Sequence, residues 1–321
     1  MHNIKKYRLL YLAVISIILV ALSIILSQHD ITANDLDISY SEDVTLTESS
    51  NTDYGTLEIL VFNTGKADAI LITTENHTVM IDTAERAHGS MIVEYLVERG
   101  ITQIDYMIIT HFDKDHVGGA YQIISNLDVN EVVVPNYLRV TNHYLRFVEA
   151  MQNSGIKPTV LEKNDLLKFT LDNADFVIYP SSLEFHEYEE NDSGIRDDFG
   201  DEGTINVNNY SLVTTVQHGN NNFSFTGDAM ARRTREIFQT PEIMNTDFIF
   251  LKVPHHGRYN MRSMEFIHAI TPKYAVITDS QSEPASVRLV SALEGAGAKV
   301  FFTRNGNVYF TSDGHVLIPN Q

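Results

Sequence analysis

The densest group of potentially reactive side chains lies within residues 110–119. Two histidines and two aspartates, His111, Asp113, Asp115 and His116, fall within six residues there. Neutral imidazoles and ionised carboxylates are nitrogen and oxygen ligands for divalent metals. Scattered polar residues on a loop are usually only solvated, but this cluster follows an apolar run and precedes a glycine pair that permits a tight helix start. The pattern therefore predicts a metal site.

Other apolar runs also end in residues that suit this chemistry. One run ends at Asp82, one reaches Gly227 and Asp228, and a third leads into the adjacent histidines His255 and His256. A strand followed by Gly-Asp is common and is weak evidence by itself. Neighbouring side chains on an extended backbone point to opposite sides, so we expect only one of the two histidines to be a metal ligand.

Strand-like and helix-like stretches alternate after residue 56, and they must position these side chains. Runs rich in Val, Ile, Phe and Tyr predict strands at 57–63, 69–73, 78–82, 106–110, 131–135, 176–179, 211–217, 223–226, 248–253, 274–278, 300–303 and 308–311. Helices are predicted at 91–99, 121–127, 143–153, 232–238, 264–269 and 286–296. Early hairpins followed by strand–helix units indicate an α/β fold with two sheets and helices outside. Residues 56–321 are long enough to form one domain with a sizeable core.

Composition excludes several classes of protein. The 321 residues include no Cys, so disulfides, thiolate ligands and a Cys nucleophile are excluded. An apolar content of 43% argues against a wholly disordered chain. With 42 acidic and 23 basic residues the formal charge is −19, which disfavours a broad basic face for wrapping nucleic acid.

The N-terminal segment predicts a membrane anchor. Residues 9–26 are eighteen uncharged, mostly aliphatic residues, and the basic flank 1–8 precedes them. Such a run spans roughly 27 Å, close to a bilayer core, and the basic flank should stay in the cytoplasm. We therefore predict a single-pass protein of the cell membrane with its catalytic domain outside the cytoplasm; a cleaved signal peptide is the alternative. Residues 27–55 hold seven acids and no base, and we predict that they form a solvated, disordered tether.

The motifs together resemble the metallo-β-lactamase superfamily. The stretch 111–116 resembles the family's His-x-His-x-Asp-His motif, with Asp113 in place of the second His. That departure is similar to the soluble, nuclease-like hydrolase domain of ComEC-type competence proteins. Further marks of that branch are Asn63-Thr64-Gly65-Lys66-Ala67-Asp68-Ala69, Asn208-Asn209-Tyr210-Ser211, Thr226-Gly227-Asp228, Val253-Pro254-His255-His256-Gly257 and Thr303-Arg304-Asn305-Gly306-Asn307. The resemblance covers residues 56–316 and implies an αββα sandwich.

The resemblance implies two divalent metals, Zn or Mn, at one edge of the paired sheets. His111 and Asp113 would hold one metal, Asp115 and His116 would help to hold the other, and Asp228 would bridge both. A glycine follows His256 as in related proteins, so His256 would complete the second site.

Five further residues are implied to support the metals or contact substrate. Asp82 would hydrogen-bond a ligand histidine and set its tautomer. Asn208 stands where many relatives have another histidine, and Asp68 is more often structural than catalytic. His255 would lie behind the ligands or against substrate, and Arg258 departs from the serine usual in the branch.

The implied activity is hydrolysis of a phosphodiester by hydroxide bridging the metals, with nuclease activity as the leading subtype. Asp115, which helps to hold the second metal, and His255, a candidate proton donor to the leaving alkoxide, are the predicted catalytic residues. Two alternatives remain open: hydrolysis of a carboxylic ester, thioester or lactam, and a non-catalytic accessory module on the same scaffold. No protein partner is predicted.

The segment 181–207 bears on the substrate. It carries nine acids and one base, with aromatic residues interspersed. It is either a solvated excursion or a flap over the metals. An acidic flap would disfavour DNA and favour a cation-bearing ester, such as a phosphocholine-type ester on a cell-wall polymer.

Overall fold

Two β-sheets packed face to face form the middle of the molecule, and helices cover both outer faces. A computed structural model describes residues 52–184, 187–188, 206–260 and 262–320. The predicted anchor over residues 9–26 and most of the predicted tether over 27–55 lie outside these ranges. No helix within the described ranges combines the length and apolarity needed to cross a bilayer.

The first sheet has the strand order β17-β16-β1-β2-β3-β4-β5-β7. Its strands are β1 (Leu57–Val61), β2 (Ala69–Thr73), β3 (Thr78–Thr83), β4 (Gln103–Ile108), β5 (Asp128–Pro135), β7 (Thr159–Leu161), β16 (Val308–Ser312) and β17 (Leu317–Asn320). Neighbouring strands are antiparallel from β17 to β3, and β3, β4, β5 and β7 run parallel. All six residues of β3 are buried because the strand is covered on both faces, which explains the unbroken apolar run at its centre, residues 79–81.

The second sheet has the order β15-β14-β13-β12-β11-β9-β8. Its strands are β8 (Leu167–Leu171), β9 (Ala174–Tyr179), β11 (Val213–His218), β12 (Asn221–Phe225), β13 (Phe250–Lys252), β14 (Tyr274–Ile277) and β15 (Lys299–Phe302). Strands β12 to β15 are parallel, and β8, β9, β11 and β12 are antiparallel neighbours. The short strands β6 (Leu138–Arg139) and β10 (Glu187–Tyr188) pair separately.

The helices lie in two outer layers. They are α1 (Arg86–Glu98), α2 (Lys114–Val117), α3 (Ala120–Asn126), α4 (Asn142–Asn153), α5 (Ala231–Phe238), α6 (Pro241–Met244), α7 (Ser263–Ile270) and α8 (Val287–Gly295), with short 3-10 helices at Val207–Tyr210, Pro254–Gly257 and Thr303–Asn305. One apolar cluster lies between the first sheet and α1, α3 and α4. A second fills the space between the sheets, and a third joins the second sheet to α5–α8. This α/β/β/α layering agrees with the predicted fold class.

The predicted elements agree with the structure for most of the domain, and the misses are short elements or half-exposed strands. The six predicted helices are all present, each within a few residues except for α1, which begins five residues earlier than predicted. The prediction missed the strands β6, β7, β8, β10 and β17 and the four-residue helices α2 and α6. In β8 the residues alternate between half-buried and exposed up to a buried Leu171, so the strand buries too little apolar surface to be obvious in sequence.

The glycine pair after α2 allows helix and strand to approach closely. A Cβ at Gly119 would overlap the carbonyl oxygen of Thr83, at the end of β3. A Cβ at Gly118 would overlap backbone atoms of Lys114 and Arg86. The pair therefore sets how closely the metal-motif segment packs against the first sheet.

We expect Gly119→Ala to lower the free energy of unfolding by about 1–3 kcal/mol, because the added methyl group overpacks against rigid backbone. Gly295→Ala is the matched control: it lies at the end of α8, and a Cβ there meets nothing within 4 Å. The control should leave stability unchanged or raise it by up to about 1 kcal/mol. Urea denaturation measures both, and equal stabilities of the two variants would contradict the packing argument.

Candidate metal centre

The histidine–aspartate motif occupies the turn between β4 and a one-turn helix. His111 follows the carboxyl end of β4 and is fully buried. Asp113 has extended backbone, and its carbonyl accepts hydrogen bonds from the amides of His116 and Val117. The helix α2 then turns Asp115 and His116 back towards His111, and the two imidazole rings lie 4.0 Å apart between centroids.

Asp228 lies beyond the carboxyl end of β12 in the second sheet. It follows β12 after Gly227, whose backbone is left-handed with φ of 52°. A Cβ at Gly227 would lie 2.9 Å from the Thr110 side chain, so glycine permits both the turn and the close approach of the two sheets. The Asp228 amide is held by the Ser211 hydroxyl at 3.2 Å.

Five side chains form two overlapping groups of metal-ligand type. His111, His116 and Asp228 form one, and Asp115, His116 and His256 form the other; within each group the ligand atoms lie within 4.8 Å of one another. Asp228 faces both groups, with Oδ1 3.3 Å from His116 Nε2 and Oδ2 3.3 Å from His256 Nε2. Asp115 Oδ2 lies 3.4 Å from His256 Nε2.

The polar atoms facing this point fit a metal. Within the described part of the chain, Nε2 of His111, His116 and His256 and Oδ1 of Asp228 are buried and make no hydrogen bond of acceptable geometry. Buried polar atoms normally have a hydrogen-bond partner, so four such atoms that face one point without one need an explanation. Coordination of divalent cations would satisfy all four, and imidazole with carboxylate is a suitable donor set.

His255 and His256 adopt an unusual backbone that brings both rings to Asp228. Their φ angles are 48° and 52°, so both residues are left-handed, a conformation that is strained for side chains other than glycine. His255 Nε2 lies 3.7 Å from Asp228 Oδ2, and His256 Nε2 lies 3.3 Å from the same oxygen. The expectation that an extended backbone points these two rings apart is therefore wrong, because the backbone here is left-handed.

The two histidines nevertheless differ in their surroundings. His256 belongs to the group with Asp115 and His116 and also to a further group with Asp68 and Asp228. His255 belongs to none among the described residues. His255 Nε2 instead lies 3.4 Å from the Asn208 amide nitrogen, and its Nδ1 lies 2.8 Å from Met230 Sδ. The structure therefore places His256 among the candidate ligands and His255 between them and Asn208.

Asp82 orients His116. Its Oδ2 lies 2.7 Å from His116 Nδ1, and the Thr110 amide and hydroxyl donate to the same carboxylate at 2.8 and 2.7 Å. A carboxylate on Nδ1 leaves Nε2 facing the ligand group. This is the contact expected of Asp82 with a ligand histidine.

A buried lysine, Lys252, was missed by the sequence reasoning. It is fully buried at the end of β13, forms a close ion pair with Asp68 and lies 3.9 Å from Asp228 Oδ1. Asp68 also accepts from the Thr278 hydroxyl at 2.6 Å and lies 3.3 Å from His256 Nδ1. The sequence feature that could have indicated its role is a lysine within the otherwise apolar strand that precedes the histidine pair.

Asp113 and Arg258 lie at the margin of the centre. Asp113 Oδ2 is 3.8 Å from His111 Nε2, but its Oδ1 is 3.4 Å from the Arg139 guanidinium and the side chain is about one-third exposed. It belongs to none of the ligand groups among the described residues. Arg258 is exposed and borders a cavity beside His256. Most of the predicted flap over residues 181–207 lies outside the described residues.

The pKa values of the four histidines are shifted in opposite directions, two upwards and two downwards. Burial opposes the charging of His116 and His256, but nearby carboxylates outweigh it. Asp228 and Asp82 act on His116. Asp228 and Asp68 act on His256. The pKa of His256 is therefore raised to about 10, and that of His116 is raised well above its usual value. Burial dominates at the other pair and lowers the pKa of His111 to about 3 and that of His255 to about 4.

The carboxylates of Asp228 and Asp68 stay ionised. Burial would raise the pKa of Asp228, but the neighbouring His256, His116 and His255 hold it well below its usual value. Burial is likewise outweighed at Asp68, where Lys252 and His256 lower the pKa. Without metal, the centre is thus a buried cluster of carboxylates balanced by one lysine and two protonated histidines.

The chain belongs to the metallo-beta-lactamase superfamily, whose family profile matches residues 63–277. Members of this fold typically bind divalent metals, which agrees with the ligand groups above. The chain is 24% identical over 239 residues to ComE operon protein 3 of Bacillus subtilis and 22% identical over 247 residues to Recombination protein 2 of Haemophilus influenzae. These alignments cover 69% and 74% of this chain but only 28% and 26% of the relatives. The chain thus spans about a quarter of the length of each.

Among solved structures, the metallo-beta-lactamase fold protein YhfI of Bacillus subtilis aligns with a TM-score of 0.48 at 9% identity. The alignment covers 81% of this chain and all of YhfI. The resemblance to ComEC-type competence proteins inferred from the motifs is confirmed by the two curated relatives.

We expect Lys252→Met to lower the unfolding free energy of the metal-free protein by about 3–5 kcal/mol, because Asp68 would remain buried without its cation. Lys168→Met, an exposed lysine of β8, is the matched control and should change stability by less than about 0.5 kcal/mol. Urea denaturation in the presence of a chelator measures both. Equal effects of the two substitutions would show that Lys252 does not balance the buried carboxylates.

We expect metal binding near neutral pH to release protons from His116 and His256. Both pKa values are raised, so both rings carry a proton that a metal ligand must lose. The apparent metal affinity should therefore rise as pH increases from about 6 to about 9. Titration with Zn²⁺ or Mn²⁺ in weakly buffered indicator solution measures the release, and a pH-independent affinity without proton release would contradict it.

Proposed function

We propose that this protein is a hydrolase of phosphodiesters that uses two divalent metals, Zn²⁺ or Mn²⁺, with nuclease activity as the leading subtype. The observation that carries the proposal is the position of Asp228. Its two carboxylate oxygens face different imidazoles, His116 and His256, each at 3.3 Å. A carboxylate in that position can bridge two cations.

The assignment of ligands follows the sequence motif as well as the two groups, because His116 belongs to both groups and Asp113 belongs to neither. His111, Asp113 and Asp228 would hold the first metal, and Asp115, His116, Asp228 and His256 the second. A metal pair of this kind supplies hydroxide near neutral pH and offsets negative charge on a phosphoryl group. Asp113 would have to turn from Arg139 towards His111, a movement that its partial exposure permits.

His255 is placed to contact the substrate. Its ring lies beside Asp228 and Asn208 at the centre, and its lowered pKa keeps it neutral near pH 7. A neutral imidazole can hydrogen-bond a phosphoryl oxygen but is a weak proton donor at that pH. We therefore assign His255 to binding the reacting group and leave the leaving alkoxide to take its proton from solvent.

Three observations support a phosphodiester as the substrate. The bridging geometry suits an anionic group with two free oxygens, and cationic side chains, Lys66 and Arg258, border the centre. The curated relatives are named ComE operon protein 3 and Recombination protein 2, and the second name favours nucleic acid. A carboxylic ester, thioester or lactam lacks such a pair of anionic oxygens, so this arrangement favours its binding less.

The cellular location remains part of the proposal. The eighteen-residue apolar run at 9–26 and its basic flank support a tether that leaves the hydrolase outside the cytoplasm. Protease treatment of intact cells tests it: an externally placed domain is digested, and a cytoplasmic one is protected.

The activity is tested with full-length protein stripped of metal and reloaded with Mn²⁺ or Zn²⁺. We expect hydrolysis of bis-p-nitrophenyl phosphate and of single-stranded DNA that chelator abolishes. His111→Ala and Asp228→Asn should each lower kcat/KM by at least about 100-fold, because each removes a metal ligand.

His268→Ala, an exposed histidine of α7, is the matched control and should keep full activity with an unchanged thermal midpoint. Metal-dependent cleavage of a β-lactam or thioester without cleavage of either phosphodiester would overturn the substrate assignment. Absence of both metal and activity after reloading would favour an accessory module.

A further inference from the structure

A cavity of about 450 Å³ opens beside His256 and is not needed to hold the proposed metals. Its other lining residues are Lys66, Arg258, Tyr259, Glu283, Pro284 and Ser286. They come from the loop between β1 and β2, from the segment after the histidine pair and from the loop before α8. Cavities of this size hold small polar groups or single units of a polymer.

Two basic side chains, Lys66 and Arg258, and one acidic side chain, Glu283, line this cavity, whereas the chain as a whole is strongly acidic, with a formal charge of −19. Arg258 is exposed, and within the described residues it forms no ion pair. Among those residues, its guanidinium therefore has no partner in an ion pair.

Lys66 has a partner that an arriving anion can replace. Its Nζ lies 3.2 Å from Glu283 Oε1, and the Glu283 side chain is 63% exposed. Ion pairs this exposed contribute little to stability, so exchange of the carboxylate for a phosphate costs little. Glu283 also places a negative charge in the cavity, and this charge opposes the binding of an anion.

An aromatic surface borders the same cavity. The guanidinium of Arg288 lies 4.4 Å above the centroid of the Tyr259 ring, and Tyr259 is partly exposed. Aromatic rings and guanidinium planes are the surfaces on which unpaired bases stack in proteins that bind single strands. Phosphate-binding cations beside a stacking surface suit a nucleotide unit better than a polyol phosphate.

We propose that this cavity binds the nucleotide next to the scissile bond of a single-stranded nucleic acid, with Lys66 and Arg258 holding its phosphate and Tyr259 supporting its base. The inference rests on the proposed phosphodiesterase function and deepens it. The metals would act on one phosphate while the cavity holds its neighbour. Local cationic binding also explains how so acidic a protein can accept a polyanion.

The test compares an extended substrate with one that lacks a neighbouring phosphate. We expect K66A/R258A in the full-length protein to lower kcat/KM for a single-stranded oligonucleotide by at least about tenfold relative to bis-p-nitrophenyl phosphate. E283Q should raise the oligonucleotide value by about two- to fivefold, because it removes the competing carboxylate. K157A/K168A, which removes two exposed lysines, one just before β7 and one in β8, should leave the kcat/KM for both substrates unaffected.

K66A/R258A should lower kcat/KM for the oligonucleotide, and E283Q should raise it. These opposite directions separate a role in binding the substrate from a merely structural role. Loss of one phosphate contact should also reduce the slope of log affinity against log salt by about 0.7. Equal losses on both substrates, or no loss on either, would overturn the proposal.

A binding measurement separates this proposal from the failure of the proposed function. Fluorescence polarisation of a labelled oligonucleotide, with chelator present, reports the cavity without hydrolysis. If the wild type cleaves no phosphodiester, the function fails, yet weaker binding by K66A/R258A would still support the cavity. Equal oligonucleotide affinities of wild type and variant would refute it. Competition by poly(glycerol phosphate) as strong as by unlabelled oligonucleotide would overturn the assignment to nucleic acid.

Discussion

The centre depends on balancing buried carboxylates. Asp68, Asp82 and Asp228 are each at most 3% exposed, and a buried ion is costly unless a counter-charge or several hydrogen bonds compensate it. Lys252 and the protonated His116 and His256 supply that compensation when no metal is bound. Divalent cations would replace the two histidine protons, so the same cluster is stable in both states. Lys252 keeps its role throughout and prevents the carboxylates from depending on metal alone.

The two-sheet architecture brings these charges together. His111 and Asp82 lie at the carboxyl ends of parallel strands in the first sheet, while Asp228 and Lys252 lie at the ends of parallel strands in the second. Parallel strands place their carboxyl ends at one edge, and the apolar layer between the sheets fixes the distance between the two edges. The glycine contacts then let the turns approach closely enough for side chains to meet.

Backbone strain is concentrated at the same edge. Asp82, His255 and His256 all have positive φ, and the ligand-bearing turns around Gly227 and Gly257 use glycine for the same purpose. Residues held in this way usually occur where function requires a particular side-chain direction. Here the left-handed histidine pair lets one turn present two rings to one carboxylate, which an extended backbone does not allow.

The sequence by itself determined the donor types and the strand ends that carry them, because apolar runs and the motifs that follow them are local patterns. It also indicated two sheets with outer helices and the contact between Asp82 and a histidine. The membrane anchor over residues 9–26 stays a prediction. Only the tertiary structure decided that Lys252 pairs with Asp68, that both histidines reach Asp228, and that Asp113 faces Arg139. These contacts join residues far apart in the chain, or depend on an uncommon backbone conformation, and no local pattern specifies either.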